Sequence, residues 1–277
     1  MTTTHRTVQT QTVDVGGRRL AYRRLGPNSG VPVIFLNHLA AVLDNWDPRV
    51  VDGIAAKHPV ITFDSPGVGA SQGSAPTTVA EMAQDAIAFI GALGFTEVDL
   101  FGFSMGGFVA QEIVRQQPGL VRRIILAGTG PAGGEGIDKI TGVTISDSVK
   151  ATLVRKDPKE NLFFTKTANG KAEGRRFMER LGERTEGRDK PISPLAFRRQ
   201  LKTVRNWGTQ KPFDLSGITQ PVFVANGDHD RMVPTSNSYD LARRLPNARL
   251  RIYADAGHGG VFQYHDEFVT EALEFLA

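Results

Sequence analysis

Short, nearly unbroken apolar runs punctuate the chain: Val31-Pro32-Val33-Ile34-Phe35-Leu36, Val60-Ile61-Thr62-Phe63, Val98 to Phe103, Arg123-Ile124-Ile125-Leu126, Pro221-Val222-Phe223-Val224 and Leu250-Arg251-Ile252-Tyr253. Such runs suit strands covered on both faces. Between and after them, Val79 to Leu93, Met105 to Gln117 and Val261 to Leu276 read as helices. Alternation of this kind predicts an α/β fold with a mostly parallel central sheet. Ahead of it, Thr7 to Val15 and Arg18 to Arg24, joined by Gly16-Gly17, predict an antiparallel hairpin. The alternation stops at Gly130-Pro131-Ala132-Gly133-Gly134, a break rich in turn residues. From about 146 to 207 the pattern is helical and basic, and strands resume at Pro221. The chain therefore divides into a core, residues 1–130 and 218–277, and a helical insertion, residues 131–217. No internal repeat or low-complexity tract interrupts it.

Length and composition narrow the class. The 277 residues are 40% hydrophobic and 22% charged, ordinary for a globular protein with a substantial core. No run approaches the roughly 20 apolar residues that cross a bilayer. The opening Met1-Thr2-Thr3-Thr4-His5-Arg6 lacks a signal-peptide core, so a cytoplasmic location without membrane attachment is expected. The absence of cysteine excludes disulfides, a thiol nucleophile and thiolate-bound metals.

The net charge of +4 hides an asymmetry: Lys139 to Lys211 holds 18 Lys+Arg against 8 Asp+Glu, a balance of +10 that leaves −6 elsewhere. A basic segment can be a solvated helical surface or can steer an acidic ligand. It lacks the aromatic interleaving of a nucleic-acid module, so no nucleic-acid partner is expected.

The chemistry centres on Gly102-Phe103-Ser104-Met105-Gly106, at the junction of an apolar run and a helical one. A serine between glycines at a strand-to-helix turn describes a nucleophile elbow, where only small neighbours fit. In a chain with 30 glycines the motif also arises by chance, and its setting is what gives it weight. A serine hydroxyl needs a base, usually histidine. Among six histidines, His258 in Ala256-Gly257-His258-Gly259-Gly260 follows the last expected strand, where parallel sheets place their sites. His5 falls in an expected disordered tail, and His58, His229 and His265 have surface-like surroundings. The imidazole needs an acid, and Gly227-Asp228-His229-Asp230 offers two. The same cluster also reads as metal-binding, without support elsewhere in the chain. An oxyanion needs N–H donors. Met105, after the serine, supplies one, and Leu39, in the loop Asn37-His38-Leu39-Ala40-Ala41, is the positional candidate for the second.

These motifs resemble the α/β-hydrolase fold family over about residues 7–130 and 218–277. Asp64-Ser65-Pro66-Gly67-Val68-Gly69-Ala70-Ser71 is similar to its D-x-x-G-x-G-x-S loop, and Gly257-His258 to its G-H motif. Gly227-x-x-Asp230-x-x-x-Pro234 is similar to its acid loop, which implies Asp230 rather than Asp228 as the acid. Asn37-His38 departs from the usual His-Gly start of the oxyanion loop. With Trp46-Asp47-Pro48 downstream, the form is similar to 3-oxoadipate enol-lactonases, which carry a small polar residue where His38 stands. Cofactor-free haloperoxidases and perhydrolases are similar around Gly102 to Gly107. His38 either contacts substrate or closes the loop. The resemblance makes residues 131–217 the family's cap. Phe163, Phe164, Phe177, Phe197 and Trp207 then line an acyl pocket or form the cap's own core, with Trp207 the leading pocket candidate.

The resemblance implies a cofactor-free serine hydrolase that cleaves an ester or lactone with Ser104, His258 and Asp230, on a small-molecule substrate that the basic insertion would bias toward anions. Carbon–carbon bond hydrolysis and perhydrolysis fit the same triad. A ligand receptor that keeps the triad is the alternative of another class. Oligomeric state is not legible.

Overall fold

The computed structural model describes residues 3–153 and 157–277. The apolar runs build one sheet from β1 (Gln11–Val15), β2 (Arg18–Leu25), β3 (Val33–Leu36), β4 (Val60–Phe63), β5 (Val98–Phe103), β6 (Val121–Ala127), β7 (Val222–Gly227) and β8 (Ala248–Tyr253). Its order is β1-β2-β4-β3-β5-β6-β7-β8. β1 and β2 pair antiparallel as the expected hairpin, and β2 pairs antiparallel with β4; every other pairing is parallel. β3, β4, β5 and β7 are buried at every position, which is why their sequences lack polar alternation. β8 lies at the edge and tolerates Arg249 and Arg251. The hairpin's first strand begins at Gln11, later than expected, because Thr7 and Val8 donate to Thr4 O in a turn.

The helices are α1 (Pro48–Ala55), α2 (Val79–Ala92), α3 (Met105–Gln116), α4 (Ile140–Leu153), α5 (Pro158–Phe163), α6 (Ala168–Leu181), α7 (Pro194–Thr209), α8 (Ser236–Arg244), α9 (Gly260–Gln263) and α10 (His265–Leu276). Local chemistry starts several of them. Thr78 and Glu81 form a capping box on α2. Asp47 and Ser193 cap α1 and α7, each followed by a proline at the first helical position. The helix expected over 261–276 is broken at Tyr264. That residue leaves helical geometry (φ −107°, ψ 39°), stacks its ring on Tyr253 and donates its hydroxyl to Ala254 O.

The segment between β6 and β7 is helical, α4 to α7. Acids of the sheet-bearing part meet its basic excess. Arg180 makes a bidentate pair with buried Asp47, Nε donating to Oδ1 at 3.1 Å and Nη2 to Oδ2 at 2.7 Å, and donates to Phe262 O at 3.0 Å. Arg184 and Arg188 approach Asp44, each at 3.7 Å. Part of the charge asymmetry is thus complementarity between two faces of one molecule. His5 is not in a disordered tail: it is buried, with its ring Nε2 3.2 Å from Leu43 O. Its own carbonyl and that of Arg6 accept from Arg184, which ties this segment down. Among the described residues, no helix is long and apolar enough to cross a membrane.

Candidate active site

The parallel strands β3, β5, β7 and β8 all deliver loops to the same sheet edge, at their C-terminal ends. Ser104 follows β5 directly, at φ 56° and ψ −118°. A non-glycine residue there is strained by about 1–3 kcal/mol. The surroundings hold it. Ser104 N donates to Ala127 O at 2.8 Å, and Ser104 O accepts from Gly107 N at 2.9 Å and Thr129 Oγ1 at 2.8 Å. The flanking glycines are steric requirements. A Cβ at Gly102 would lie 2.5 Å from Gly106 O, and one at Gly106 would run into Leu36 O. The hydroxyl therefore stands at the N-terminus of α3, where the helix dipole favours negative charge.

His258 and Asp230 arrive from the loops after β8 and β7. His258 Nδ1 donates to Asp230 Oδ2 at 2.7 Å, with both side chains buried. Asp230 Oδ1 accepts from Met232 N at 2.8 Å and Val233 N at 3.0 Å. A carboxylate only accepts, so Nδ1 carries the ring proton and Nε2 keeps its lone pair. Asp228 turns elsewhere. It accepts from Asp255 N and Ala256 N and pairs with exposed His229, so the two aspartates and His229 do not converge as a metal cluster. His258 and Ser104 share a cavity wall, and no hydrogen bond joins the serine hydroxyl to the ring among the described residues. Rotation of one side-chain torsion moves a serine hydroxyl, and such bonds often tighten only with substrate present.

The cavity encloses about 240 Å³. From the sheet side it is lined by Ser104, His258, His38 and Leu39, and from the helical segment by Lys159, Leu162, Phe163 and Phe197 among others. It lies at the small end of ligand pockets. Trp207 does not reach its wall. That indole donates to Gly130 O and stacks on Phe108, which does line the cavity. Phe164 and Phe177 also pack behind, leaving Phe163 and Phe197 at the wall. Lys159 is the charged side chain of the lining, and Asp157 pairs it at 3.0 Å.

The oxyanion-loop candidates sit at the end of β3. Asn37 anchors the loop, accepting from Trp46 Nε1 at 2.6 Å and donating to Phe63 O at 3.1 Å. Ala40 takes φ 65°, and its N–H donates to Gln200 Oε1 of α7 at 2.8 Å. Met105 is buried at the start of α3. His38 is buried, its Nδ1 2.8 Å from Leu39 O. Burial first, then the charge of Lys159, lowers its pKa to about 3. Gln200 and Thr129 were not visible as site residues, because neither belongs to a local pattern and both reach the loops from elsewhere in the chain.

A mostly parallel sheet of eight strands, with a positive-φ serine after β5 and a histidine–aspartate pair from the loops after β8 and β7, defines an α/β-hydrolase architecture. Residues 31–263 match the family model described as alpha/beta hydrolase fold, and the chain belongs to that family. An alpha/beta hydrolase fold protein from Chitinophaga pinensis is 40% identical, with 99% of each chain covered and a TM-score of 0.92. A Mycobacterium tuberculosis protein provisionally named non-heme bromoperoxidase BpoC is 28% identical over 93% of this chain and 97% of its own. The enol-lactonase of Burkholderia xenovorans LB400 is 20% identical, with 96% and 99% of the chains covered and a TM-score of 0.74, a likeness of fold.

Proposed function

We propose that the protein is a serine hydrolase that cleaves a small carboxylic ester or lactone through an acyl-enzyme. The observation that carries this reading is the strained Ser104 sharing one cavity with a His258 whose far nitrogen is held by Asp230. Ser104 attacks the carbonyl as His258 Nε2 takes its proton. The N–H groups of Met105 and Leu39 receive the developing oxyanion. His258 then protonates the leaving alcohol, and water repeats the sequence to free the acid. Asp230 keeps the imidazole in the tautomer this needs. Residues 131–217 act as a cap over the core formed by 1–130 and 218–277, and the protein works in the cytoplasm without a cofactor. The apolar lining and the pairing of Lys159 favour an uncharged acyl group in the cavity. The basic cap surface then acts on anionic substrates through approach rather than through contact.

Perhydrolysis is a second reading, supported by the provisional name of the mycobacterial relative. It uses the same acyl-enzyme with hydrogen peroxide in place of water.

Fluorophosphonate labelling with mass mapping, together with p-nitrophenyl acetate turnover, tests the reading. Labelling at Ser104 and turnover lost in Ser104→Ala are expected. Folded protein that neither labels nor turns over, yet melts at a shifted temperature with a ligand, supports the receptor alternative instead.

A further inference from the structure

The His38 ring has two nitrogens in different circumstances. Nδ1 is 2.8 Å from Leu39 O, and a carbonyl only accepts, so Nδ1 carries the proton. Nε2 is then a bare acceptor, and it is buried with no partner. The ring is held edge-on by Phe103 and Phe163, with centroids at 5.5 and 5.2 Å. The His258 ring lies against the same two phenyl groups, at 5.0 and 5.4 Å. His38 and Ser104 also share the wall of the one cavity described above. An acceptor left without a donor in such a place costs free energy that a ligand can return.

On the hydrolase reading, we infer that His38 selects substrates that carry a neutral hydrogen-bond donor, a hydroxyl or amide N–H, close to the scissile carbonyl. The donor is received at Nε2. A donor is required rather than an acceptor, because the Leu39 carbonyl fixes which nitrogen holds the proton. A cationic donor is disfavoured by the apolar wall and by Lys159, which lines the same cavity. The ring stays neutral through the physiological range, since burial and Lys159 lower its pKa to about 3. Sites built to bond a substrate hydroxyl discriminate strongly against the analogue that lacks it.

Two measurements test this. The first compares kcat/KM for methyl butanoate, methyl 2-hydroxybutanoate and methyl 3-hydroxybutanoate. The native protein is expected to prefer one hydroxy ester over methyl butanoate by about tenfold or more, the scale of one hydrogen bond to a buried acceptor. In His38→Phe, which keeps a ring but no acceptor, the ratio of hydroxy ester to methyl butanoate collapses to about twofold or less, whatever the change in absolute turnover; His38→Gln restores part of it. A loop-closing role would lower all three esters together. The second reads the His38 nitrogen-15 signals in Ser104→Ala protein, where nothing is turned over. The proton is expected on Nδ1, and Nε2 shifts on adding a hydroxy ester but not methyl butanoate.

An equal ester ratio in native and His38→Phe protein, or a proton on Nε2, overturns the inference and leaves the hydrolase reading standing. Absence of turnover and of fluorophosphonate labelling, with a hydroxyl-dependent nitrogen-15 shift, does the reverse.

Discussion

Asp230 grips His258 from behind with one oxygen and is itself gripped by the backbone with the other. Oδ2 takes the imidazole Nδ1–H at 2.7 Å, and Oδ1 takes the N–H groups of Met232 and Val233. Three donors on one buried carboxylate leave it able to accept and unable to swing away. Asp228, two residues earlier, instead steadies the backbone at Asp255 and Ala256.

Asp230→Asn is therefore expected to lower kcat by about 10³–10⁴-fold, because the amide can hold the wrong imidazole tautomer. Asp228→Asn should cost less than about tenfold, since it touches the loop and not the ring. Ser104→Ala and His258→Ala should each lower kcat by about 10⁴-fold or more, with the protein still folded. Steady-state kinetics on p-nitrophenyl acetate checks all four. The assignment fails if Asp228→Asn inactivates and Asp230→Asn does not.

Arg180 and Asp47 join α6 to the start of α1 through a bidentate pair out of solvent. Arg180→Met leaves Asp47 as a buried charge without its cation, and a loss of about 3–5 kcal/mol is expected. The double variant Arg180→Met/Asp47→Leu should recover part of that, less the lost N-cap to Arg49 N. Urea unfolding measures both. A single variant within about 1 kcal/mol of native would mean that the pair holds nothing together.

Burial dominates the low pKa of His5, about 4, and of His38, about 3, against 6.5 for each in an open chain. Below pH 6.5 the unfolded chain takes up protons that these folded rings refuse, so stability falls as pH falls from 6.5 toward 4. Each ring contributes a slope of up to about 1.4 kcal/mol per pH unit. His5→Gln and His38→Gln should each flatten the urea-derived profile between pH 6.5 and 4.5. An unchanged slope in both variants would show that the acid sensitivity arises elsewhere.

Asp64 has the opposite sign. Burial, and then the facing carboxyl of Asp189, raise its pKa well above 3.8; Asp44 adds to this and Arg23 opposes it. Its Oδ2 has no donor. The folded carboxyl keeps its proton where the unfolded one releases it. Its stabilising share is therefore whole below about pH 3.8 and is lost as pH rises through the raised value. Asp64→Asn, which stays neutral and can donate to Asp189, should raise the melting temperature at pH 8 more than at pH 5. Equal shifts at both values would count against a proton shared with Asp189.

The strands and the candidate triad could be read from the chain because their causes are local. A tight turn admits only small residues beside Ser104, and an apolar run with no polar alternation has to be covered on both faces. Ser104, His258 and the pair Asp228 and Asp230 each stand within a few residues of a strand end, so knowing the sheet is parallel suffices to bring them to one rim, and the likeness of the acid loop to the family's implied Asp230. Other features resisted such reading. His5 looked like tail and is buried, because Arg184 binds the backbone around it. Trp207 looked like pocket, and Phe108 stands between it and the cavity. The expected C-terminal helix broke where Tyr264 found Tyr253 and Ala254.

Sequence alone, then, determined the order of elements, the elbow and the identity of the residues that meet at the sheet's rim, through periodicity and steric rules that act over a few neighbours. Tertiary structure alone decided how large the cavity is, which phenylalanines wall it and which nitrogen of His38 is left bare. Those outcomes depend on contacts between segments far apart in the chain, 160 residues in the case of Gln200 and Ala40. The position of such partners follows from how whole helices dock on the sheet, and no local pattern records it.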